Sequence, residues 1–492
     1  MKRGQTPRPG HGLMNTTHHT AGKRFLLRLL PVFALALAIR VLCAIPALTE
    51  PSRLSRPDTE TYLPPAYALA EDGAINTKLQ HNPARFHHGP GVKDCVVVQR
   101  PAVQRPPGYI VFLAGLRLIF GRSPVAFALA GCLIGALAVF PVGVTGYHLA
   151  GRKAGFRAAV LYALNLTSLA VAPLILADTL LGLLVAFQAM YLAKALRFGR
   201  IRDFILATIF AAAAVLVKPV NIPVLILLIG MAPFLMKTRR KAVRAMLLVP
   251  VISAVIIVPW MIRNQAVGAG FAVDRNSGLT ALHNTAAILA HASHRDANEI
   301  RHWLEYQAEH EFMTINQWRT DKVTVQEREE WYLKRYREAI LAHPWSAAAT
   351  HLFQVWILLP DMADYLQNLG LRNGERGTLA VLRKDGVLAA FRHYMDGSYA
   401  AGLLAMPFLL AHAALWALAI FGMWVYARKK RWAVLLVFAV PVVYYLAAAG
   451  PVVLPRYQIP ALPGACALAG AVISACGIRR WRKRRSCPQC NR

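Results

Sequence analysis

Acidic residues are scarce in this chain. Its 492 residues hold 24 Asp and Glu against 56 Lys and Arg, a formal net charge of +32. A charge of that size commonly points to nucleic acid. Its placement excludes that reading, because the basic residues cluster in short stretches between long apolar runs, as in loops on the cytoplasmic side of a membrane. Cysteine is also sparse. Of the seven, Cys43, Cys132, Cys466 and Cys476 fall in apolar runs as packing residues. Cys95 stands alone in an expected external loop, which excludes a disulfide framework. Cys487-Pro-Gln-Cys490 is a lone CxxC in a basic tail, and one pair cannot close a four-ligand zinc site. The first apolar run, Phe25–Leu48, is long enough to span and lacks a small-residue cleavage site, so it reads as an anchor and not as a signal peptide. The inverted repeat that many transporters carry is missing too.

What is present is apolar. Hydrophobic residues make up 56% of the chain and the mean hydropathy is +0.39, values of a polytopic membrane protein. The expected fold is an all-α bundle of about ten transmembrane helices, up to about twelve. The spans fall near 25–48, 125–147, 156–173, 174–193, 203–217, 219–236, 244–262, 401–426, 433–450 and 457–477. Basic loops recur on one face: Arg152, Lys153 and Arg157; Lys194 to Arg202; Lys237 to Arg244; Arg428 to Arg431; Arg479 to Arg485. The positive-inside rule makes that face cytoplasmic, with both termini on it.

The chain divides accordingly. Residues 1–24 are a disordered cytoplasmic N-terminus. Residues 25–262 form an N-terminal transmembrane core with a first external loop at 49–106. A second external region covers 263–400, residues 401–477 return to the membrane, and 478–492 are a basic cytoplasmic tail. Pro107–Gly121 and Trp345–Pro360 are expected to lie in or dip into the outer interface. Ile300–Leu341, with alternating charged and aromatic residues, is expected to be helical and outside the membrane. The Ala- and Arg-rich composition suits a GC-rich bacterial genome, hence the inner membrane.

Two carboxylates stand out. Asp58 follows the first span by about ten residues, with Glu60 and Tyr62 beside it. Asp178 lies at the outer end of an apolar span, where an ionisable group is costly and points to function. Solvation of the loop and a favourable helix-start charge are the bland readings of the two. Cations gather at the same outer rim: Arg105 in Arg105-Pro-Pro-Gly-Tyr109, Lys218 before Pro219, Arg263 at the end of a span, and Arg456 beside Tyr457. Snorkelling to headgroups would explain any one of them; together they form candidates for phosphate binding. Arg40, inside the first span, needs a partner, and Asp178 is one candidate. A carboxylate at the interface can deprotonate an acceptor hydroxyl, while cations stabilise a departing phosphate. One base and a cationic cradle then suffice, with inversion at the sugar.

These pieces, in order, resemble the GT-C membrane glycosyltransferases, and particularly the branch with protein O-mannosyltransferases and the lipid A aminoarabinose transferase. The resemblance rests on Ala38-Ile-Arg40-Val-Leu42; the first loop with Asp58, Tyr62 and Ala66 through Gly73; Arg105 to Tyr109 leading to Phe120-Gly121; Ala163-Leu-Asn165 ahead of Asp178; Lys218-Pro219; Pro259-Trp260 with Arg263-Asn264; and Arg456-Tyr457 with Pro460 and Pro463. It implies a polyprenyl-phosphate-sugar donor and transfer at the outer membrane face to a glycan, lipid or protein acceptor. It implies that Asp58 and Asp178 are catalytic and that Arg105, Lys218, Arg263 and Arg456 bind donor phosphate. Glu60, Tyr62, Tyr109 and Tyr457 would position substrate. The first loop departs from the pattern in having no adjacent acidic pair, and the insert Asn76–Gln104, with His81, His87, His88 and Cys95, has no counterpart. No metal-ligand spacing is evident, and a divalent cation held by Asp58 with His87 or His88 is the only cofactor the loop suggests. The competing readings are a transporter or lipid flippase, a non-catalytic scaffold of the same fold, and an O-antigen ligase.

Overall fold

The computed structural model describes residues 11–81, 96–315, 325–352, 355–371, 378–395, 399–451 and 454–472. Some apolar runs have a side-chain cap at their start. The Ser123 hydroxyl accepts from the Ala126 N–H ahead of Pro124–Leu137, and the Thr238 hydroxyl accepts from the Lys241 N–H ahead of Arg239–Ala266. Five helical stretches are long and apolar enough to cross a membrane by length and composition: Arg24–Thr49, Pro124–Ala150, Asp178–Phe198, Arg239–Ala266 and Tyr399–Arg428. Pro107–Phe120, Pro219–Leu235 and Trp432–Ala447 are shorter apolar helices. The protein is a multi-pass membrane protein.

Several boundaries differ from the expectation. The run 156–173 is broken into Arg152–Ala163 and Leu166–Val171, because Asn165 turns extended and its side chain caps the second helix at the Ser168 N–H. The run 174–193 starts as a turn, and its helix begins only at Asp178. The last run opens as a tight 3-10 helix, Pro455–Ala461, with proline at both Pro455 and Pro460. Trp345–Pro360 is a short helix, Pro344–Leu352, and a 3-10 turn, Val355–Leu358. The expected external helix is at least two, Ala297–Ile315 and Val325–Ala342. With Ser277–Ser293 they share a core of their own around Leu282, Leu304, Phe312, Trp331 and Tyr332. The helical fold also carries two antiparallel strands, Asn76–His81 and Val96–Pro101, with Asn76 opposite Pro101 and His81 opposite Val96. His87, His88, Cys95, Cys476, Cys487 and Cys490 lie outside the described residues.

Apolar lipid gives helices little hydrophobic reason to associate, so close packing of small residues does that work. Gly143 and Gly155 bring Val139–Ala150 and Arg152–Ala163 together. At the Asp58 end the connections lock to one another. The Ile175 N–H donates to the Leu54 carbonyl (3.1 Å) and the Gly108 N–H to the Leu216 carbonyl (2.6 Å). A Cβ at Gly108 would stand 2.6 Å from that same oxygen. Only glycine lets the Arg105 strap lie against the turn that carries Lys218.

Candidate active site

Asp58 sits on a 3-10 turn, Pro57–Thr61. The Thr59 hydroxyl fixes the turn by donating to the Ile175 carbonyl (3.0 Å) and accepting from the Arg56 N–H (2.9 Å). The Thr61 hydroxyl donates to the Asp58 carbonyl (2.6 Å) and accepts from Arg105 Nε (2.9 Å). Both carboxylate oxygens of Asp58 are held by guanidinium groups. Arg105 Nη2 donates to Oδ1 at 2.8 Å and Arg456 Nη2 to Oδ2 at 2.5 Å. Burial alone would raise the Asp58 carboxyl, but Arg456, Arg105 and Lys218 outweigh it and hold the group below the usual carboxylate range.

Asp178 opens its helix within the same cluster. Lys218 Nζ donates to its Oδ1 at 2.7 Å, and the carboxylate is only 2% exposed. Aromatic rings connect the two ion-pair centres. Lys218 and Arg456 both lie over the Tyr457 ring, 5.4 and 5.7 Å from its centroid. Arg105 lies over Tyr62 at 5.2 Å, and Tyr62 meets Tyr109 edge-on at 5.1 Å. Five stretches far apart in sequence thus bring Asp58, Arg105, Asp178, Lys218 and Arg456 together with Tyr62, Tyr109 and Tyr457.

Three cations contact two carboxylates directly here, and a third acid, Asp274, lies near Arg105. Arg456 Nε and Asp178 Oδ2 are buried without a hydrogen-bond partner among the described residues. Both Asp58 oxygens are held by arginines, and His87 and His88, the suggested partners for a divalent cation, lie outside the described residues. Among the described residues no group of three or more His, Cys, Asp or Glu could hold a metal ion.

Other expected residues lie elsewhere. Arg263 donates to the Ala102 and Ile75 carbonyls (2.9 and 2.8 Å) and stacks over Trp260, bracing the return of the first loop. Glu60 is exposed. Arg40 does not pair with Asp178. Its guanidinium donates to Ser168 Oγ (2.9 Å) and to the Ala36 and Ala163 carbonyls, because Asp178 is already taken by Lys218. Three features were not expected. Arg56 pairs with Asp364 at 2.9 Å in a buried ion pair. Gln458 Nε2 donates to the Ile357 and Leu359 carbonyls and accepts Trp416 at its Oε1. Burial pushes the Asp274 carboxyl up to about 6, although Arg105 pulls it back.

Residues 104–262 match the family described as dolichyl-phosphate-mannose-protein mannosyltransferase. The matched family is of the GT-C glycosyltransferase type. The matched segment contains Arg105, Tyr109, Asp178 and Lys218; Asp58 and Arg456 flank it. No curated protein matches the chain. Among solved structures it is similar to the Archaeoglobus fulgidus oligosaccharyltransferase. The apo form aligns with 93% of this chain at 14% identity and a TM-score of 0.49. The form tethered to an acceptor peptide with the NVT sequon aligns with 92% at 13% and 0.49. The archaeal AglB bound to an inhibitory peptide and a dolichol-phosphate aligns with 94% at 13% and 0.44. The chain spans about half the length of these structures, 50–52%.

Proposed function

We propose that this GT-C-type chain transfers a sugar from a polyprenyl-phosphate-linked donor to an acceptor hydroxyl, with inversion, at the membrane face that carries Asp58. The observation that carries this reading is Arg456. Its Nη2 holds Asp58 while its buried Nε has no acceptor among the described residues, and a donor phosphate oxygen would satisfy that Nε. In the transfer, the acceptor oxygen bonds to the anomeric carbon and its proton passes to Asp58. The carbon–oxygen bond to phosphate breaks, and the lipid phosphate leaves with the electron pair. Arg105, Lys218 and Arg456 stabilise the charge that develops there.

The resting cluster bears on the order of events. A carboxylate clamped by two arginines is a weak base. A phosphate that takes Arg105 and Arg456 frees Asp58 and raises its proton affinity, so donor binding arms the base. Tyr62, Tyr109 and Tyr457 form the wall against which the sugar is positioned, and Asp178 holds Lys218 in place. We further propose about ten crossings, with residues 25–262 as the core around loop 49–106. Residues 263–400 then lie outside, 401–477 complete the bundle, and both termini are cytoplasmic in a bacterial inner membrane.

The test is turnover of radiolabelled polyprenyl-phosphate sugars by isolated membranes containing wild type or Asp58→Asn at matched expression. The wild type should consume at least one donor, and the variant should bind it without turnover. Absence of consumption by the wild type across a broad donor panel would overturn the transferase reading. Full activity of Asp58→Asn would remove Asp58 as the base.

A further inference from the structure

We propose that Asp364 and Gln458 are positioning residues for the transfer, and that they set the separation of Asp58 and Arg456 through one shared segment, residues 355–368. The proposal rests on the transferase reading above. Asp58 and Arg456 stand on two separate 3-10 turns, Pro57–Thr61 and Pro455–Ala461. A short 3-10 turn has poorly aligned hydrogen bonds of its own, so its place depends on what holds it from outside. Each turn reaches the same segment through one buried polar side chain. Arg56 directly precedes the first turn, and its Nε donates to Asp364 Oδ1 at 2.9 Å. Its Nη1 donates to the Arg53 and Ser55 carbonyls (2.8 and 2.7 Å), so the pair fixes the backbone that enters the Asp58 turn. Gln458 lies in the second turn, and its Nε2 donates to the Ile357 and Leu359 carbonyls, both at 3.0 Å.

The segment is itself anchored. The Thr167 hydroxyl joins the two ties, accepting from the Asp361 N–H (3.1 Å) and from Gln458 Nε2 (3.2 Å). The Tyr394 hydroxyl donates to the Pro360 carbonyl (2.8 Å), His412 Nε2 to the Leu358 carbonyl (2.8 Å), and Asn368 Nδ2 to the Ala170 carbonyl (2.7 Å). Met362, Tyr365 and Leu366 share a buried cluster with Leu166 and Leu169. The bundle needs each of these ties for stability alone. The reaction needs more, because a base and a phosphate-binding cation must keep their spacing across one donor, and a misplacement of about 1 Å can cost about 100-fold in rate. The Asp58–Arg456 ion pair cannot supply that spacing during turnover, since it opens when phosphate takes the arginine. The ties to the shared segment remain, and they hold both turns at the moment of transfer.

The test uses the full chain in a nonionic detergent, with amide hydrogen exchange and turnover of polyprenyl-phosphate sugars as readouts. Asp364→Asn keeps the shape of the side chain and weakens the tie to the Asp58 turn. Gln458→Met keeps the length and removes the tie to the Arg456 turn. Each variant should speed exchange by about tenfold at both turns, residues 55–62 and 454–461, and leave the helix Ser277–Ser293 at the wild-type rate. Each should lower kcat per folded protein by at least about tenfold, with the donor KM within about twofold of wild type. Thr167→Val cuts the link between the two ties and takes the place of Gln458→Met if that variant does not fold. Faster exchange confined to the one turn whose tie was cut overturns the shared bracket. A kcat equal to wild type, with or without a raised KM, overturns the positioning role. If the wild type turns over no donor, the transferase reading fails, and the exchange rates alone decide whether the segment couples the two turns.

Discussion

Asp58 and Asp178 share one cluster but are held in different ways. Asp58 lies on a 3-10 turn, is 29% exposed, and gives one oxygen to each of two arginines. Asp178 opens a helix, is 2% exposed, and among the described residues has Lys218 as its one ion-pair partner, with its second oxygen buried and unsatisfied. A ligand that competes for guanidinium can release the first carboxylate. The second is enclosed, and its release would leave an ammonium without its counter-charge. The difference separates a group that can take part in a reaction from one that keeps a cation in place.

Removing the enclosed partner should have the largest effect. Asp178→Ala leaves the Lys218 ammonium unpaired and should cost about 3–5 kcal/mol of stability, read as a drop in melting temperature in detergent. Asp178→Leu/Lys218→Met should recover most of that loss and still show no turnover. Recovered turnover in the double variant would break the comparison, because the pair would then be structural only. Asp58→Asn should do the reverse, with a smaller loss of melting temperature and turnover lowered by at least about 100-fold. Arg456→Lys keeps the charge but loses the fork that serves Asp58 and an anion together. A loss of roughly tenfold in kcat/KM, about 1.4 kcal/mol, is expected, with Arg456→Gln clearly worse. If Arg456→Lys and Arg456→Gln are equally impaired, the forked geometry, and not the charge, is what matters.

Much of this cluster was legible in the sequence, for a physical reason. Charged residues at the ends of apolar spans are few and costly, so Asp58, Arg105, Asp178, Lys218 and Arg456 stood out, even though Asp58 and Arg456 lie 398 positions apart. Pairing was not legible. Arg40 and Asp178 looked complementary, but a helix position does not disclose which neighbour a side chain faces. Asp361 and Asp364 did leave a signal, two carboxylates directly after an apolar stretch, and they serve a helix cap and the Arg56 ion pair. The strand pair had one clue, the β-branched run Val96-Val-Val98, in a segment otherwise without pattern. Asp274 gave none. It sits next to Arg275 in a short loop, and its significance comes from burial and from being folded near Arg105.

The smallest effect concerns that residue and extends the comparison to a third carboxyl. Asp274 has a folded pKa of about 6 against the ordinary 3.8, so the folded chain holds its proton more tightly than the unfolded chain does. Between about pH 4 and 6 the folded state carries the extra proton, stability falls as pH rises, and the full penalty is present above pH 6. Asp58 has the opposite sign. Its folded pKa is depressed, so it contributes stability above the ordinary carboxylate range and loses it as pH falls through the folded value. Asp274→Asn should therefore raise the melting temperature above pH 7 by an amount equivalent to on the order of 1 kcal/mol, since the group is partly exposed and its attraction to Arg105 is lost as well. Near pH 4 the gain should vanish. Melting Asp274→Asn between about pH 4 and 7, and Asp58→Asn from about pH 5 downward, should give pH slopes of opposite sign. A gain for Asp274→Asn that does not change with pH would mean that the substitution acts through packing and not through the buried charge.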